Sequence, residues 1–222
     1  IIGSSGTDTI KGTGKADTFT ISSSGHGNSD VYDGAAGADT LKLSSGSHVF
    51  SSDANFTNIE TVLTNASGST VNLTGQTEGF TITGGAGVDT ITGGAGVNVI
   101  TGDAGNDIIS GGASADIITG GAGDDQLTGG AGADTFNIDS GSDTITDMSA
   151  ADILVISAGA TVNGTISANY TATGATTNAG TANLTIGTGG LSVDMSLAGG
   201  SAGFNIIGSS GTDTIKGTGK AD

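Results

Sequence analysis

Residues 84–137 read GGAGVDTIT, GGAGVNVIT, GDAGNDIIS, GGASADIIT, GGAGDDQLT and GGAGADTFN, six nine-residue units without a gap. Glycine opens every unit, and the eighth position always holds a large apolar residue. The sixth position holds an acid or its amide: Asp89, Asn98, Asp107, Asp116, Asp125 and Asp134. A fixed short period of this kind indicates a repeat architecture in which each unit stacks on its neighbours.

Each position of the unit has a physical role. Glycine at positions 1, 2 and 4 predicts a tight turn with backbone φ above zero. Such a turn points several carbonyl oxygens the same way, and the carboxylate at position 6 joins them. Calcium takes roughly 6–8 oxygen ligands in irregular geometry, so this donor set suits it. Positions 7 to 9 predict a short strand with position 8 facing inward. The alternative is that Gly and Asp only mark turns, but turns alone do not require an acid at every ninth residue.

The pattern G-G-x-G-x-D-x-U-x, with U a large apolar residue, is a known calcium-binding β-helix repeat, and residues 84–137 resemble the RTX (repeats-in-toxin) family. The resemblance implies an all-β, right-handed parallel β-helix or β-roll solenoid with calcium-binding glycine-rich loops. Two units would form one coil, so that alternate units stack. One row would then contain Asp89, Asp107 and Asp125, and the opposite row Asn98, Asp116 and Asp134. Several calcium ions would lie between stacked turns and share oxygens from neighbouring coils.

The candidate metal ligands extend beyond the six units. Asp143 follows the block, and looser units at 3–11, 12–20 and 34–42 place Asp8, Asp17 and Asp39 at position 6. The glycines at position 1 complete the candidate set: Gly84, Gly93, Gly102, Gly111, Gly120 and Gly129. Two residues of the block depart from the repeat pattern. Asn98 keeps an oxygen but lacks the charge, which predicts a weaker site, and Ser114 replaces glycine at position 4, which predicts a modestly strained turn.

The composition limits the function. There are 22 acidic residues against five basic ones, a net charge of −17, and this excludes a nucleic-acid-binding surface. Divalent cations would cancel much of the self-repulsion. Only 34% of the residues are hydrophobic, which fits a thin solenoid; a disordered Gly/Ser/Thr chain is the alternative. The chain lacks cysteine, as expected of an extracellular protein stabilised by metal in place of disulfides. No run of 18 apolar residues occurs, so no transmembrane segment is expected.

Residues 1–17 recur without change at 206–222, an offset of 205 residues. The sequence therefore reads as one full period of a tandem array and the start of the next, and end-to-end association of identical modules is expected. We predict five segments: 1–42, degenerate RTX units; 43–83, solenoid coils without calcium loops; 84–147, the RTX β-roll block; 148–205, a Thr-, Ala- and Gly-rich β region; and 206–222, the next copy. Outside the block, strands are expected near 49–50, 59–63, 71–73, 80–82, 182–186, 191–197 and 204–207.

The chain carries no zinc motif, no cysteine nucleophile and no phosphate-binding loop, so it is not expected to be an enzyme. The leading hypothesis is a calcium-stabilised structural module of a large secreted bacterial protein, located at the cell surface in a surface layer, a filament or an adhesin stalk. Two alternatives stay open. One is a ligand-binding adhesin module that recognises a cell, a glycan or ice. The other is an RTX accessory domain of a secreted enzyme.

Overall fold

The computed structural model describes residues 8–22, 30–149 and 151–219, and in this part of the chain the protein is all-β. A one-turn 3-10 helix at Asp53–Asn55 is the only helix described there. Parts of the expected unit 3–11 and of the segment 206–222 lie outside the described residues. The strands are β1 (Thr9–Lys11), β2 (Thr18–Ile21), β3 (Val31–Asp33), β4 (Thr40–Leu43), β5 (Gly46–Val49), β6 (Phe56–Thr57), β7 (Thr61–Leu63), β8 (Ser69–Asn72), β9 (Thr81–Ala86), β10 (Thr90–Thr92), β11 (Val99–Ala104), β12 (Ile108–Ala113), β13 (Ile117–Ala122), β14 (Gln126–Ala131), β15 (Thr135–Ile138), β16 (Ser142–Met148), β17 (Ile153–Ile156), β18 (Thr161–Ile166), β19 (Tyr170–Thr171), β20 (Thr177–Asn178), β21 (Thr181–Ile186), β22 (Ser192–Asp194), β23 (Gly199–Gly200), β24 (Asn205–Ile207) and β25 (Thr214–Lys216).

The strands stack as a β-solenoid of about ten turns. All strand pairs among the described residues are parallel. One sheet has ten strands in the order β2-β4-β7-β9-β11-β13-β15-β17-β20-β23, and another has nine in the order β5-β8-β10-β12-β14-β16-β18-β21-β24. Two smaller sheets, β1-β3-β6 and β19-β22-β25, lie at opposite ends of the solenoid. The prediction of an all-β parallel solenoid is therefore confirmed.

The cross-section changes along the axis. From β9 to β18 the chain alternates between the two large sheets, so each coil has two faces. Before β7 and after β18 it also visits a small sheet, so the fully described coils there have three faces. Residues in equivalent positions are 18 apart in the two-faced coils, as for Asp89 and Asp107, and 22 apart in three-faced coils, as for Asp17 and Asp39. The additional face accounts for the additional residues per coil.

The interior is a narrow apolar column. Position 8 of every unit in the block points inward and is almost completely buried, as predicted: Ile91, Ile100, Ile109, Ile118, Leu127 and Phe136. At the N-terminal end the wider three-faced coils are filled by aromatic rings. Tyr32 packs edge-on against Phe19 and Phe56, and Phe56 in turn contacts Phe50 and Phe80. Aromatic side chains supply the volume that a third face encloses.

The structure corrects two expectations about the unit. Four strands of the block are longer than the expected three residues: β11 to β14 each run from position 7 of one unit to position 3 of the next. Positive φ occurs at positions 2 and 4, as at Gly121 (φ 104°) and Gly123 (φ 143°), whereas no position-1 glycine of the block has positive φ. Glycine at position 1 is required for a different reason, the close approach of neighbouring oxygens described below.

Strands outside the block fall largely where they were predicted. β5, β7, β8 and β9 lie near the expected segments of 43–83, and β21, β22 and β24 near those of 158–205. Several strands were not predicted, among them β3, β6, β18, β19, β20 and β23. Stacking continues through this Thr-rich region, since β20 and β23 extend the ten-stranded sheet.

Asp103 occupies position 2 of its unit with a φ of 73°, a conformation that costs a non-glycine residue about 1 kcal/mol or more. We expect Asp103→Gly to raise the free energy of unfolding by about 0.5–1 kcal/mol, measured by urea denaturation at saturating calcium. Ser114→Gly is the matched control: Ser114 also has positive φ (77°), but its hydroxyl donates to the carbonyl of Ala95 at 2.7 Å, so the gain should be smaller. A lower urea midpoint for Asp103→Gly would contradict the expectation.

Candidate metal centre

In each of two rows, one buried acid per coil joins that coil of the block to the next. Oδ1 of Asp107 accepts the backbone N–H of Asp89 at 2.8 Å, and Oδ1 of Asp125 accepts that of Asp107 at 2.8 Å. Oδ1 of Asp143 accepts the N–H of Asp125 at 3.0 Å. The row begins at Ser69, whose N–H donates to Oδ1 of Asp89 at 2.6 Å. These residues form the single row that stacking of alternate units predicts.

The opposite row repeats this arrangement. Oδ1 of Asp116 accepts the N–H of Asn98 at 2.7 Å, and Oδ1 of Asp134 accepts that of Asp116 at 2.8 Å. At one end Asn98 accepts the N–H of Phe80 at 3.1 Å, and at the other Asp152 accepts that of Asp134 at 2.9 Å. Asp152 was missed by the sequence analysis, although it lies 18 residues after Asp134 and the coil spacing alone would have found it.

The same pattern extends into the N-terminal coils. The N–H of Asp17 donates to Oδ1 of Asp39 at 2.7 Å, and the N–H of Asp39 donates to Oε2 of Glu60 at 2.7 Å. On the small sheet, the N–H of Asp8 donates to Oδ1 of Asp30 at 2.9 Å. Glu60 was also missed, because no glycine turn precedes it and the longer side chain replaces Asp.

The second carboxylate oxygen is the distinctive feature of these rows. In six of the acids Oδ2 is buried and has no hydrogen-bond partner among the described residues: Asp39, Asp89, Asp107, Asp116, Asp125 and Asp143. All six side chains are at most 2% exposed. A buried carboxylate oxygen without a donor is costly, so each of these atoms requires a proton or a cation.

For Asp39, Asp89, Asp107 and Asp116, a backbone carbonyl lies on the other side of the position-1 glycine from this oxygen. A Cβ added to Gly102 would stand 2.3 Å from Oδ2 of Asp107 and 2.4 Å from the carbonyl oxygen of the next coil's Gly120. Gly111 has the same surroundings, with Oδ2 of Asp116 at 2.5 Å and the carbonyl oxygen of Gly129 at 2.7 Å. Any side chain at position 1 would therefore fill the space between a carboxylate and a carbonyl. Similar crowding by the unit's own acid occurs at Gly84, Gly120 and Gly129.

The donor set fits calcium better than zinc. No group of three or more His, Cys, Asp or Glu side chains is close enough to hold a metal within the described ranges. A cation in these loops would be held by one or two carboxylates and by backbone carbonyls, all of them hard oxygen donors. Calcium accepts such a set, whereas zinc prefers nitrogen and sulfur.

Asn98 differs from the acids in its row. Its Oδ1 is occupied by the N–H of Phe80, and its Nδ2 donates to the carbonyls of Gly96 (2.8 Å) and Gly111 (3.2 Å) and to Oδ1 of Asp116 (3.2 Å). The amide N–H group therefore lies where the aspartates present Oδ2. That Asn98 gives a weaker calcium site stays a prediction; in this geometry a hydrogen-bond donor, and not a carboxylate oxygen, faces the loop oxygens.

In units with Ser or Thr at position 2, the backbone N–H and the hydroxyl of that residue donate hydrogen bonds to the acid of the same unit. Oδ2 of Asp17 accepts the N–H and the hydroxyl of Thr13 at 2.6 and 2.9 Å, and Oδ2 of Asp213 accepts the same groups of Ser209 at 2.8 and 2.9 Å. Asp17 therefore has less need of a cation than the acids of the block. The loop that precedes Asp8 lies outside the described residues.

The family comparison agrees with this geometry. Four copies of a family model described as the RTX calcium-binding nonapeptide repeat match the chain, at residues 2–41, 83–117 and 110–145. The chain carries RTX calcium-binding nonapeptide repeats. RTX repeats form β-rolls and belong to a structural repeat fold, not to a catalytic family. No curated protein and no solved structure matches the chain. Among the described residues, no helix is long and apolar enough to span a membrane.

Burial changes the acidity of the RTX aspartates. Loss of solvation raises the pKa of Asp107 and of Asp134 to about 6, and that of Asp143 to about 7, from an ordinary value of 3.8. Repulsion between neighbouring acids adds to the rise in each case. The pKa values of Asp89 and Asp116 are raised by burial as well. Ionised carboxylates in these loops are therefore unstable without a compensating positive charge.

Calcium-free protein is expected to be more stable at pH 5.5 than at pH 7.5. An acid whose pKa is raised in the folded state stabilises the fold at low pH, and this contribution is lost as the pH rises through the folded-state value. The shifts of Asp107, Asp134 and Asp143 place the loss between about pH 4 and pH 7, and together they amount to several kcal/mol, at about 1.4 kcal/mol per pKa unit. The residual β-sheet circular dichroism signal in calcium-free buffer, followed from pH 5.5 to pH 7.5, tests this. A signal that rises with pH would contradict it.

Asn98→Asp is expected to create an additional calcium-dependent RTX site. The new carboxylate would present Oδ2 to the carbonyl of Gly111 in place of an N–H group. Without calcium the variant should be less stable than the parent protein by about 1–3 kcal/mol, because a buried charge replaces a satisfied amide. With saturating calcium the order should reverse, and isothermal calorimetry should detect one additional ion. An unchanged number of bound ions would count against the assignment.

Proposed function

We propose that this chain is a calcium-stabilised structural module of a large secreted bacterial surface protein, in a surface layer, an extracellular filament or an adhesin stalk. One observation carries the proposal. Rows of buried acids join successive coils through Oδ1, while Oδ2 faces backbone carbonyls with no donor. Such a stack is complete only with cations, and its repetition along an axis produces length.

The proposed ligands are the acids with an unsatisfied or glycine-facing Oδ2, together with the carbonyls opposite them. The acids are Asp39, Asp89, Asp107, Asp116, Asp125, Asp134 and Asp143, and the carbonyls are those of Gly102, Gly111, Gly120 and Gly129. Bound calcium would supply the positive charge that the carboxylates and carbonyls lack. We propose that 84–147 is the calcium-dependent block, and that 43–83 and 148–205 are coils without calcium loops.

Calcium dependence would link folding to location. RTX repeat proteins are typically secreted. Extracellular calcium modules bind with dissociation constants of about 10⁻⁴–10⁻³ M, well above cytosolic calcium levels. The chain would stay unfolded during export and fold outside the cell, where binding supplies folding free energy.

The surface favours a scaffold over a ligand-binding adhesin. All six Phe and both Tyr residues are buried, and the chain has no Trp and no Arg. Binding hot spots are enriched in Trp, Tyr and Arg, so the surface lacks the usual anchors for recognition. The RTX accessory domain of an enzyme is a weaker candidate, because the exact recurrence of 17 residues fits a tandem array of modules.

Electron microscopy of the full chain with and without calcium tests the proposal. We expect ordered filaments or sheets at millimolar calcium and their loss in chelator. Dispersed single particles at millimolar calcium would favour the adhesin alternative. Ordered assemblies that persist in chelator would contradict the calcium requirement.

A further inference from the structure

We infer that the coil that contains β25 and the coil that contains β1 are equivalent positions of one continuous solenoid, so that a second copy of this chain stacks on the first without a linker. This inference rests on the proposed structural role and extends it to the way in which copies join. β25 and β1 consist of the same three residues, Thr-Ile-Lys, within identical 17-residue segments.

The order of faces supports the equivalence. At the N-terminal end β3, β4, β5 and β6 visit the small, ten-stranded, nine-stranded and small sheets in turn. At the C-terminal end β22, β23, β24 and β25 visit the small, ten-stranded, nine-stranded and small sheets in the same order. The two small sheets therefore occupy the same place in the coil. A second copy that begins at β25 would continue the sheet β19-β22-β25 directly into its own β3 and β6.

Two ion pairs, one at each end of the chain, would share a single lysine in a continuous array. Nζ of Lys216 lies 3.2 Å from a carboxylate oxygen of Asp194, on the preceding coil. Nζ of Lys11 lies 2.7 Å from a carboxylate oxygen of Asp33, on the following coil. Lys216 of one copy is Lys11 of the next. At the junction a single lysine would therefore lie between Asp194 and Asp33 of the second copy, with one acid on each side.

The hydrogen-bonded row of acids also continues across the junction. Oδ1 of Asp213 accepts the N–H groups of Gly190 and Leu191 at 3.0 and 3.2 Å, from the preceding coil. The N–H of Asp8 donates to Oδ1 of Asp30 on the following coil. Because Asp213 and Asp8 are the same position, one residue accepts from the coil before and donates to the coil after. This is the arrangement of Asp107 and its neighbours within the block.

The apolar column is completed in the same way. Ile215 pairs with Val193 on the preceding coil and is 45% exposed, since no further coil covers it. Ile10, its equivalent, pairs with Tyr32 on the following coil and packs against the core. In two joined copies Ile215 would be covered on one side by Val193 and on the other by Tyr32 of the second copy.

The spacing of the junction matches the rest of the solenoid. After Gly199, the next strand of the ten-stranded sheet would be β2 of the second copy, whose Thr18 is 24 residues further along the chain (18 + 205 − 199). Coils of 22 to 25 residues occur at both ends of the described chain. The ten strands from β2 to β23 make ten steps to the next copy, an axial repeat of about 48 Å at about 4.8 Å per strand.

A two-copy chain tests the inference: the full chain continued by residues 18–222 of a second copy, with Val99→Cys in each copy for spin labelling. Val99 points outward in β11 and is 40% exposed, and the natural chain has no other cysteine. We expect a narrow distance distribution near about 48 Å in calcium by pulsed electron spin resonance. A broad distribution in calcium would overturn the inference.

The two-copy chain contains its own control. Ile215→Asp in the first copy alters the junction, whereas Ile215→Asp in the second copy alters a free end. We expect the junction variant to broaden the distance distribution and the end variant to leave it narrow. Equal effects of the two variants would overturn the inference. Circular dichroism of the two-copy chain separates this inference from the proposed structural role. If the chain folds only with calcium but its distance distribution is broad, the continuous junction is refuted and the role is not. If the chain folds equally without calcium, the proposed role is refuted.

Discussion

Removal of calcium is expected to abolish most of the β-sheet circular dichroism signal of this chain, and millimolar calcium is expected to restore it cooperatively. The block from 84 to 147 has a single column of large apolar residues inside and buried acids at every coil, so it has little to offset the repulsion between its carboxylates. Each site contributes about 1.4 kcal/mol when free calcium is tenfold above its dissociation constant. Because each coil stabilises only its neighbours, filling one site favours the next.

Magnesium at the same concentrations is the control for this titration. Magnesium requires near-octahedral geometry and loses water reluctantly, so it should restore little of the signal. A spectrum that does not change between chelator and calcium would refute the metal assignment. Equal midpoints for the two ions would show that the effect is charge screening.

Asp107→Asn is expected to have opposite effects with and without calcium. In chelator the variant should be more stable than the parent protein by about 1–3 kcal/mol at pH 7.5, because it removes a buried carboxylate whose pKa is raised to about 6. The amide can still accept the N–H of Asp89, as Asn98 accepts that of Phe80. In saturating calcium the variant should be less stable, because a ligand has been lost. Urea denaturation in saturating calcium measures the loss, and the residual β-sheet circular dichroism signal of variant and parent protein in chelator measures the gain.

Asp124→Asn is the matched control for that variant. Asp124 is exposed and accepts the N–H of Ser142 at its Oδ1, a bond that the amide also makes. Its substitution removes one negative charge from the same region without touching the buried row. We expect a change of a few tenths of a kcal/mol in either buffer. If the two variants shift the calcium midpoint equally, Asp107 is not a ligand.

The structure of the block could be predicted because each nonapeptide alone contains the residues that determine its turn and strand. Nine residues specify a turn, an acid and one inward side chain, so the period alone predicts the stacking of Asp107 on Asp89 and the burial of Ile109. The third face of the terminal coils was not predictable in this way. Tyr32 and Phe56 fill that wider interior, but coils of variable length carry no fixed period from which to recognise them.

Most of the acids that form the two rows were predicted from the sequence, but the hydrogen bonds within the rows were not. The partner of each carboxylate lies one coil away, at a distance along the chain that only the stack defines. Asp152 would have followed from strict use of the 18-residue spacing, whereas Glu60 ends a coil of different length and carries no motif. The direction of the Asn98 amide depends on carbonyls from two coils, which its own nonapeptide does not contain.

The parallel pairing of all described strands has a mechanical consequence. Hydrogen bonds between coils run along the long axis, so tension applied between the two ends loads one coil interface at a time and peels the stack from an end, instead of shearing many bonds together. Each 18-residue coil that detaches exchanges a rise of about 4.8 Å for about 60 Å of extended chain. A string of such modules would yield in small steps and dissipate a sudden pull as an energy-absorbing tether.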